Sequence, residues 1–315
     1  MFDATFIHSA VAKLHHAHAP TLAEGPEGDL VVAWYGYPDV EYEAGKIVVA
    51  RHPRGAHDWA EQVVLFDHVK SSLGNPVLFF APDGRLHLLC ALVRGFYWTD
   101  AVMIGSTSDD GGRSWAEPRQ LRPETGLMVR HAPIERADGS LLLPAYDERK
   151  HEPVLLAAAA PFDRWEPVAR LSGTPLIQPA LVRDDASRLI MLLRPADAER
   201  VVWRSQSGDE GRTWSTPKPT SLKSAPSGLG GFWWNGNLAV VHNPTQGQER
   251  FPLSVSLARA GLNAWVGPRH IDTAAFELSY PCFLVGRDGD VHGVYSYNRR
   301  FIKYVTLDSA WLNED

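Results

Sequence analysis

The sequence predicts an all-β fold, a six-bladed β-propeller, on two periodicities and one absence. The first periodicity is a hairpin unit, two apolar runs around a short turn, with turn residues at Gly28, Gly84, Gly139, Ser187, Gly236 and Gly289. The second is a tryptophan at nearly the same interval: Trp59, Trp115, Trp165, Trp214, Trp265 and Trp311. Turn spacings run from 48 to 56 residues and tryptophan spacings from 46 to 56, so two unrelated markers agree on one unit. The absence is of any helical periodicity long enough for a βαβ crossover, which disfavours a parallel sheet. Repeats of this length, each holding two to four short strands, are what a propeller requires.

The units follow in order. They read PTLAEGPEGDLVVAW (20–34), PVLFFAPDGRLHLLCA (76–91), PIERADGSLLLPAY (133–146), PALVRDDASRLIMLL (179–193), GLGGFWWNGNLAVVH (228–242) and PCFLVGRDGDVHGVY (281–295). Asp-Gly and Asn-Gly between β-branched runs are strong hairpin signals, because the primed turns need positive φ. Ser187 marks the degenerate copy. The ring must close, and a strand at 5–7 is expected to pair beside the last blade near 302–307. Blades share their core with their neighbours, so residues 1–315 read as a single domain.

Composition sets the outer limits. The 315 residues carry a net charge of −6, so there is no basic footprint for nucleic acid. The longest apolar stretch, 154–162, is far short of the roughly 18 residues that span a membrane. Cys90 and Cys282 are too few for a disulfide scaffold and read as free thiols. The first twenty residues lack a basic segment followed by an apolar one, so the expected location is the cytoplasm, or outside the cell for a chain trimmed of its leader. No metal pattern has usable spacing: His15, His16 and His18 are clustered, but one strand start cannot turn all three to one ion. Neither a phosphate cradle nor a nucleophile elbow is present, so no cofactor is expected.

Two of the tryptophans end a fuller motif. SDDGGRSW (108–115) and SGDEGRTW (207–214) both fit S-x-D-x-G-x-[S/T]-W, with partial copies at 54–59, 162–165 and 260–265. The Asp accepts backbone N–H bonds across a turn, the Gly supplies positive φ and the Trp packs beneath the blade. These are structural staples, with Trp115 and Trp214 expected to be buried at blade corners. The motif resembles the Asp-box, or BNR repeat, of the sialidase superfamily, and the resemblance extends over essentially the whole chain.

That resemblance implies a site at the channel mouth, where three arginines clamp a substrate carboxylate, a Glu activates a Tyr nucleophile and an Asp serves as acid. Arg194, Arg250 and Tyr280 match two of the arginines and the nucleophile. His18, in His18-Ala19-Pro20, stands where the family keeps its first arginine, and Gln178 stands where it keeps the glutamate. An amide cannot take a proton at neutral pH, so Tyr280 lacks the base it would have in a sialidase. The acid belongs on the loop that carries Asp39, Glu41 and Glu43, which the sequence leaves open.

Propeller geometry gives a second, independent route to the same place. Counting back from each turn yields a collar of polar strand starts: His18, Asn75, His131, Gln178, Ser227 and Tyr280. The second strands end at the same mouth with Tyr35, Arg94, Glu148, Arg194, Asn243 and Tyr297. Convergent polar and aromatic groups in a concave mouth are the default sugar site. An inward arginine after the apolar run LIMLL needs an anionic partner, which makes Arg194 the foremost ligand contact. Arg299 and Arg300 read as surface charges, and His15, His16, His52, His57 and His151 as bystanders.

Three functions fit. The favoured one is lyase-type cleavage beside a uronate, with His18, His131 and Tyr280 moving protons while Arg194, Arg250, Asn75, Gln178, Arg94 and Glu148 bind substrate. The others are a hydrolase of ulosonic acids such as an exo-sialidase, and a non-catalytic glycan-binding propeller. In each the expected partner is an acidic oligosaccharide or polysaccharide fragment.

Overall fold

The computed structural model describes residues 2–7, 11, 13–197, 199–259, 262 and 264–313. Six antiparallel sheets follow one another around a central axis. The first blade is His16–Glu24, Leu30–Tyr37, Lys46–His52 and Val63–Leu65, and the second is Ser72–Phe80, Leu86–Val93, Ala101–Ser108 and Arg119–Thr125. In the third blade the inner strand is split into Leu127–Val129 and Ile134–Glu135, followed by Leu141–Asp147, Glu152–Ala158 and Glu166–Arg170. The fourth is Leu176–Arg183, Leu189–Pro195, Val201–Ser207 and Lys218–Lys223. The fifth is Gly230–Trp234, Asn237–His242, Leu253–Arg259 and Ala264–Asp272, and the sixth opens with Leu278–Val285, Val291–Tyr297 and Phe301–Leu307. Phe2–Phe6 completes the sixth blade as its outermost strand, with Thr5 opposite Tyr304, so the expected closure holds.

Each predicted turn sits between an innermost strand and the next. Gly28, Gly84, Gly139, Gly236 and Gly289 have φ of 77–88°, and Ser187 takes the same left-handed conformation at 62°. Innermost strands are largely buried and, apart from polar residues near the mouth, mostly apolar, as expected of strands packed on both faces. The core is distributed between neighbouring blades, each seam packing alternate residues of two sheets.

The two full Asp-boxes form as predicted. Asp110 accepts from the backbone N–H groups of Arg113 and Ser114, both at 2.9 Å, and from the Ser108 and Ser114 hydroxyls at 2.8 and 2.6 Å. Asp209 repeats the pattern with Ser207 and Thr213. The tryptophans depart from expectation. Trp115 and Trp214 are half-buried, whereas Trp165, in a partial copy, is completely buried. A cis Ala160-Pro161 step precedes Trp165, in a seam with Phe79 and Phe162. Trp311 belongs to a short C-terminal helix, Ser309–Asn313, and stacks on Arg269 at 4.1 Å rather than ending a box. The partial copy at 260–265 falls mostly outside the described residues.

One irregularity positions the site. Four innermost strands carry a β-bulge at an X-Pro step near the mouth, with Ala19, Asn75, Gln178 and Tyr280 at φ of 47–55°. For a residue with a Cβ that conformation costs about 1–2 kcal/mol. Such strained insertions re-aim side chains and gather at functional sites.

Candidate active site

The bulges correct the collar read from the sequence. In the first blade the bulged residue is Ala19, and His18 is one place earlier, paired with Tyr35. In the third blade Val129 pairs with Ala145 and Ile134 with Leu142, leaving a longer insertion than elsewhere. The residue after the last pair there is Arg130, not His131. Arg130 is 1% exposed, and its Nη2 donates to the carbonyls of Pro20 at 3.1 Å and Tyr280 at 2.8 Å.

His131 is therefore displaced from the mouth. It lines a cavity of about 270 Å³ towards the other end of the channel, with Leu22, Leu78, Leu181 and Phe283. Burial and the neighbouring Arg130 charge hold its imidazole well below the usual histidine range. A catalytic role for His131 does not fit this placement. Arg94 is also corrected, because it is exposed and donates to Gln120 Oε1 at 2.6 Å, on its own blade's outer strand. Asn243 is buried and donates to the carbonyls of Pro252 and Leu278, a structural tie between blades. Tyr297 packs against Phe6 and Phe276 away from the axis. Ser227 is buried against its own turn, and Asn75 occupies the collar at its bulge, 6% exposed.

The remaining residues do converge, on Tyr280. Its hydroxyl accepts from Arg194 Nη1 at 3.4 Å, and the same nitrogen donates to Gln178 Oε1 at 3.0 Å. Arg194 Nη2 donates to the Pro226 carbonyl at 3.0 Å, which fixes the guanidinium plane. The Arg250 guanidinium lies 5.8 Å from the Tyr280 ring centroid and that of Arg130 lies 5.3 Å away. Gly228 packs against the ring, where an added Cβ would approach within 3.0 Å of Tyr280 Cδ1. Burial alone would push the Tyr280 phenol up, but the charges of Arg194 and Arg250 and the hydrogen bond with Gln178 outweigh it and bring the phenol below its ordinary value.

His18 packs edge-on to Tyr280 at 4.6 Å and to Tyr35 at 5.7 Å. It is 1% exposed, and burial together with Arg299, Arg250 and Arg130 holds it well below the usual histidine range. It is a neutral imidazole packed against Tyr280, poorly suited to take a proton at neutral pH.

Sequence reasoning missed several members. Arg299 was assigned to the surface, yet it reaches into the mouth and donates to Glu277 Oε2 and Glu41 Oε2, both at 2.9 Å. It sits at φ 51° in the tight turn after Tyr297. Glu277 links Arg299 to Arg250, whose Nη1 lies 2.9 Å from its Oε1, and also accepts from the Ser279 hydroxyl at 2.6 Å. Those arginines and Ser279 keep the Glu277 carboxyl below its usual range despite burial. Of the three acids on the first loop, the structure brings Glu41 in: it accepts from the Tyr35 hydroxyl and from Arg299. Asp39 pairs with His15 at the surface and Glu43 is exposed. Glu148 is also present, its carboxyl raised by burial against the opposing pull of Arg194 and Tyr146.

The arrangement is a cationic pocket with one ionisable phenol at its centre. Arg194 has no carboxylate within salt-bridge distance among the described residues, and its Nε is buried without a hydrogen-bond partner. A guanidinium with no carboxylate ion pair among those residues has a charge suited to an incoming carboxylate. No group of three or more His, Cys, Asp or Glu side chains is placed to hold a metal ion among the described residues.

Comparison with known proteins follows the same line. The family model for a BNR repeat-like domain matches residues 28–293. A search of curated proteins finds no match. Among solved structures, a Hadza microbial sialidase superposes with a TM-score of 0.79 at 16% identity, over 95% of this chain and 66% of that one. A protein of unknown function from Dyadobacter fermentans gives 0.80 at 15% identity, over 97% of both chains. The intramolecular trans-sialidase of Ruminococcus gnavus, in complex with oseltamivir carboxylate, gives 0.78 at 13% identity, over 96% of both.

Proposed function

We propose that this chain, which belongs to the BNR repeat-like domain family and has a sialidase-like propeller, cleaves a glycosidic bond beside a carboxylated sugar, with Tyr280 as the reacting group. One observation carries the reading. The Tyr280 hydroxyl lies 3.4 Å from Arg194 Nη1, whose charge with that of Arg250 brings the phenol below its ordinary value, and no carboxylate hydrogen-bonds to it among the described residues.

That pairing favours elimination. Arg194 and Arg250 neutralise the sugar carboxylate and so acidify the hydrogen on the adjacent carbon. The Tyr280 phenolate takes that proton, the carbon–carbon double bond forms, and the bond to the leaving oxygen breaks. The phenol then returns the proton to that oxygen, giving an unsaturated uronate and a free hydroxyl. A neutral His18 lines the pocket and is not needed as base.

A second reading has its own support. Glu41 lies on the loop where the resemblance places an acid, and neighbouring structures carry the names sialidase and trans-sialidase. In that case Tyr280 attacks the anomeric carbon and Glu41 protonates the leaving group, giving a sugar–tyrosine aryl glycoside whose bond water then breaks, releasing the sugar and the free phenol. Acidic oligosaccharides incubated with the protein separate the two. Ultraviolet absorbance from an unsaturated uronate supports elimination. New reducing ends without it, together with capture of a fluorinated sugar on Tyr280, support hydrolysis. Binding with neither product would refute both.

A further inference from the structure

The third blade breaks the rule that the first, second, fourth and sixth obey. Where those place an X-Pro bulge, it places Arg130, followed by an insertion that splits the inner strand. A fully buried arginine is costly unless its charge and donors are used. The groups that chiefly favour its charge are Cys282, Tyr280, Tyr146 and Tyr35, none of them a carboxylate. Its Nη2 instead spans the channel to the Pro20 and Tyr280 carbonyls, from the blade that faces the sixth across the ring.

Both acceptors belong to bulges that build the site. Tyr280 is itself the left-handed residue, and Pro20 follows the left-handed Ala19, whose N–H donates to Ser296 of the sixth blade at 2.9 Å. The Tyr280 carbonyl has left the strand ladder because of the bulge, so Arg130 supplies the donor the ladder cannot. The same guanidinium lies against the Tyr280 ring at 5.3 Å.

We infer that Arg130 is a positioning residue for Tyr280: it fixes the bulge through the carbonyl, holds the ring from beneath, and so sets the hydroxyl against Arg194. The inference rests on the reading of Tyr280 as the reacting group, but its main test needs no substrate. Tyr280 is titrated by phenolate absorbance, taking each chain minus its Tyr280→Phe counterpart. Arg130→Met is expected to move the Tyr280 midpoint upward by about one pH unit or more, the usual effect of losing an opposite charge at this range. On an acidic oligosaccharide that is turned over, kcat is expected to fall at least about tenfold while KM stays within about threefold, because Arg194 and Arg250 still bind the carboxylate. Arg130→Lys is expected to recover most of the midpoint. Should Arg130→Met fail to melt cooperatively, Arg130→Gln removes the charge while keeping a donor, and the same upward shift is expected. An unchanged Tyr280 midpoint in either folded variant overturns the inference. A shifted midpoint in a protein that turns over no acidic oligosaccharide supports Arg130 and counts against the proposed function alone.

Discussion

Replacing Arg194 with alanine is the sharpest test of the carboxylate clamp. The side chain donates to Gln178 and Pro226, each at 3.0 Å, and lies 3.4 Å from the Tyr280 hydroxyl. At an effective dielectric near 20, a unit charge about 4 Å from a carboxylate contributes about 4 kcal/mol before desolvation. Truncating one partner of such a pair typically costs about 2–4 kcal/mol. That corresponds to a loss of roughly 30- to 1,000-fold in kcat/KM. The assay compares an acidic oligosaccharide with the same oligosaccharide reduced at its carboxyl group. Arg194→Ala is expected to lose most of the activity on the acidic substrate and to bring both substrates to a similar low level. Thermal stability should change little, because the variant removes a half-buried cation that makes no carboxylate ion pair among the described residues. Full activity on the acidic substrate, or an equal proportional loss on both, would refute the clamp.

Four further outcomes are expected. Gln178→Glu puts a carboxylate against Tyr280 and should raise its ionisation by about 1–3 pH units; elimination at neutral pH then slows, whereas a gain in hydrolytic turnover would favour the covalent reading. Gly228→Ala introduces a Cβ 3.0 Å from Tyr280 Cδ1, so kcat should drop while folding is retained, checked by turnover alongside circular dichroism. Asp110→Ala removes four hydrogen bonds from one Asp-box and should cost about 1–2 kcal/mol in denaturant unfolding without altering activity. His242, lowered to about 4 by burial, stays neutral in the fold while the unfolded chain protonates near 6.5. Stability should therefore fall as pH drops through that window, by about 1.4 kcal/mol per pH unit for each such histidine, with His18 and His131 adding to the slope; a flat melting temperature across it would contradict the neutral assignments.

The fold was legible because its signals are local. A left-handed turn between apolar runs is decided within a few residues, and six of them at one interval leave few architectures open. Tryptophan burial was less legible, since it depends on the neighbouring blade: Trp165 has Phe79 beside it, whereas the indoles of the two full boxes lie closer to solvent. Arg194, Gln178 and Tyr280 could be placed at the mouth because X-Pro steps and run ends locate it to within a residue, whereas Arg250 came only from the family resemblance. His131 was misplaced because counting back assumes equal bulges, and His131-Ala132-Pro133 copies the look of His18-Ala19-Pro20 while the third blade holds a longer insertion. Arg299 escaped because an arginine in a surface turn carries no local sign that Glu41 and Glu277, from two other segments, lie beneath it.

The bulges connect the two halves of the problem. A regular inner strand would alternate its side chains between the two seams and send none down the axis. The left-handed residue before each proline breaks that alternation once, at the mouth, and the strain is tolerated because neighbouring blades hold the displaced backbone. Three of the four bulged residues are Asn75, Gln178 and Tyr280, so the same device that costs stability delivers the polar collar. In the fourth the residue is Ala19, and the side chain contributed is its neighbour His18, wedged between Tyr35 and Tyr280. The chemistry of the mouth is thus set by which residue the chain spends on each strained position. Gln178 is the decisive one, since a carboxylate there could take the Tyr280 proton and an amide cannot.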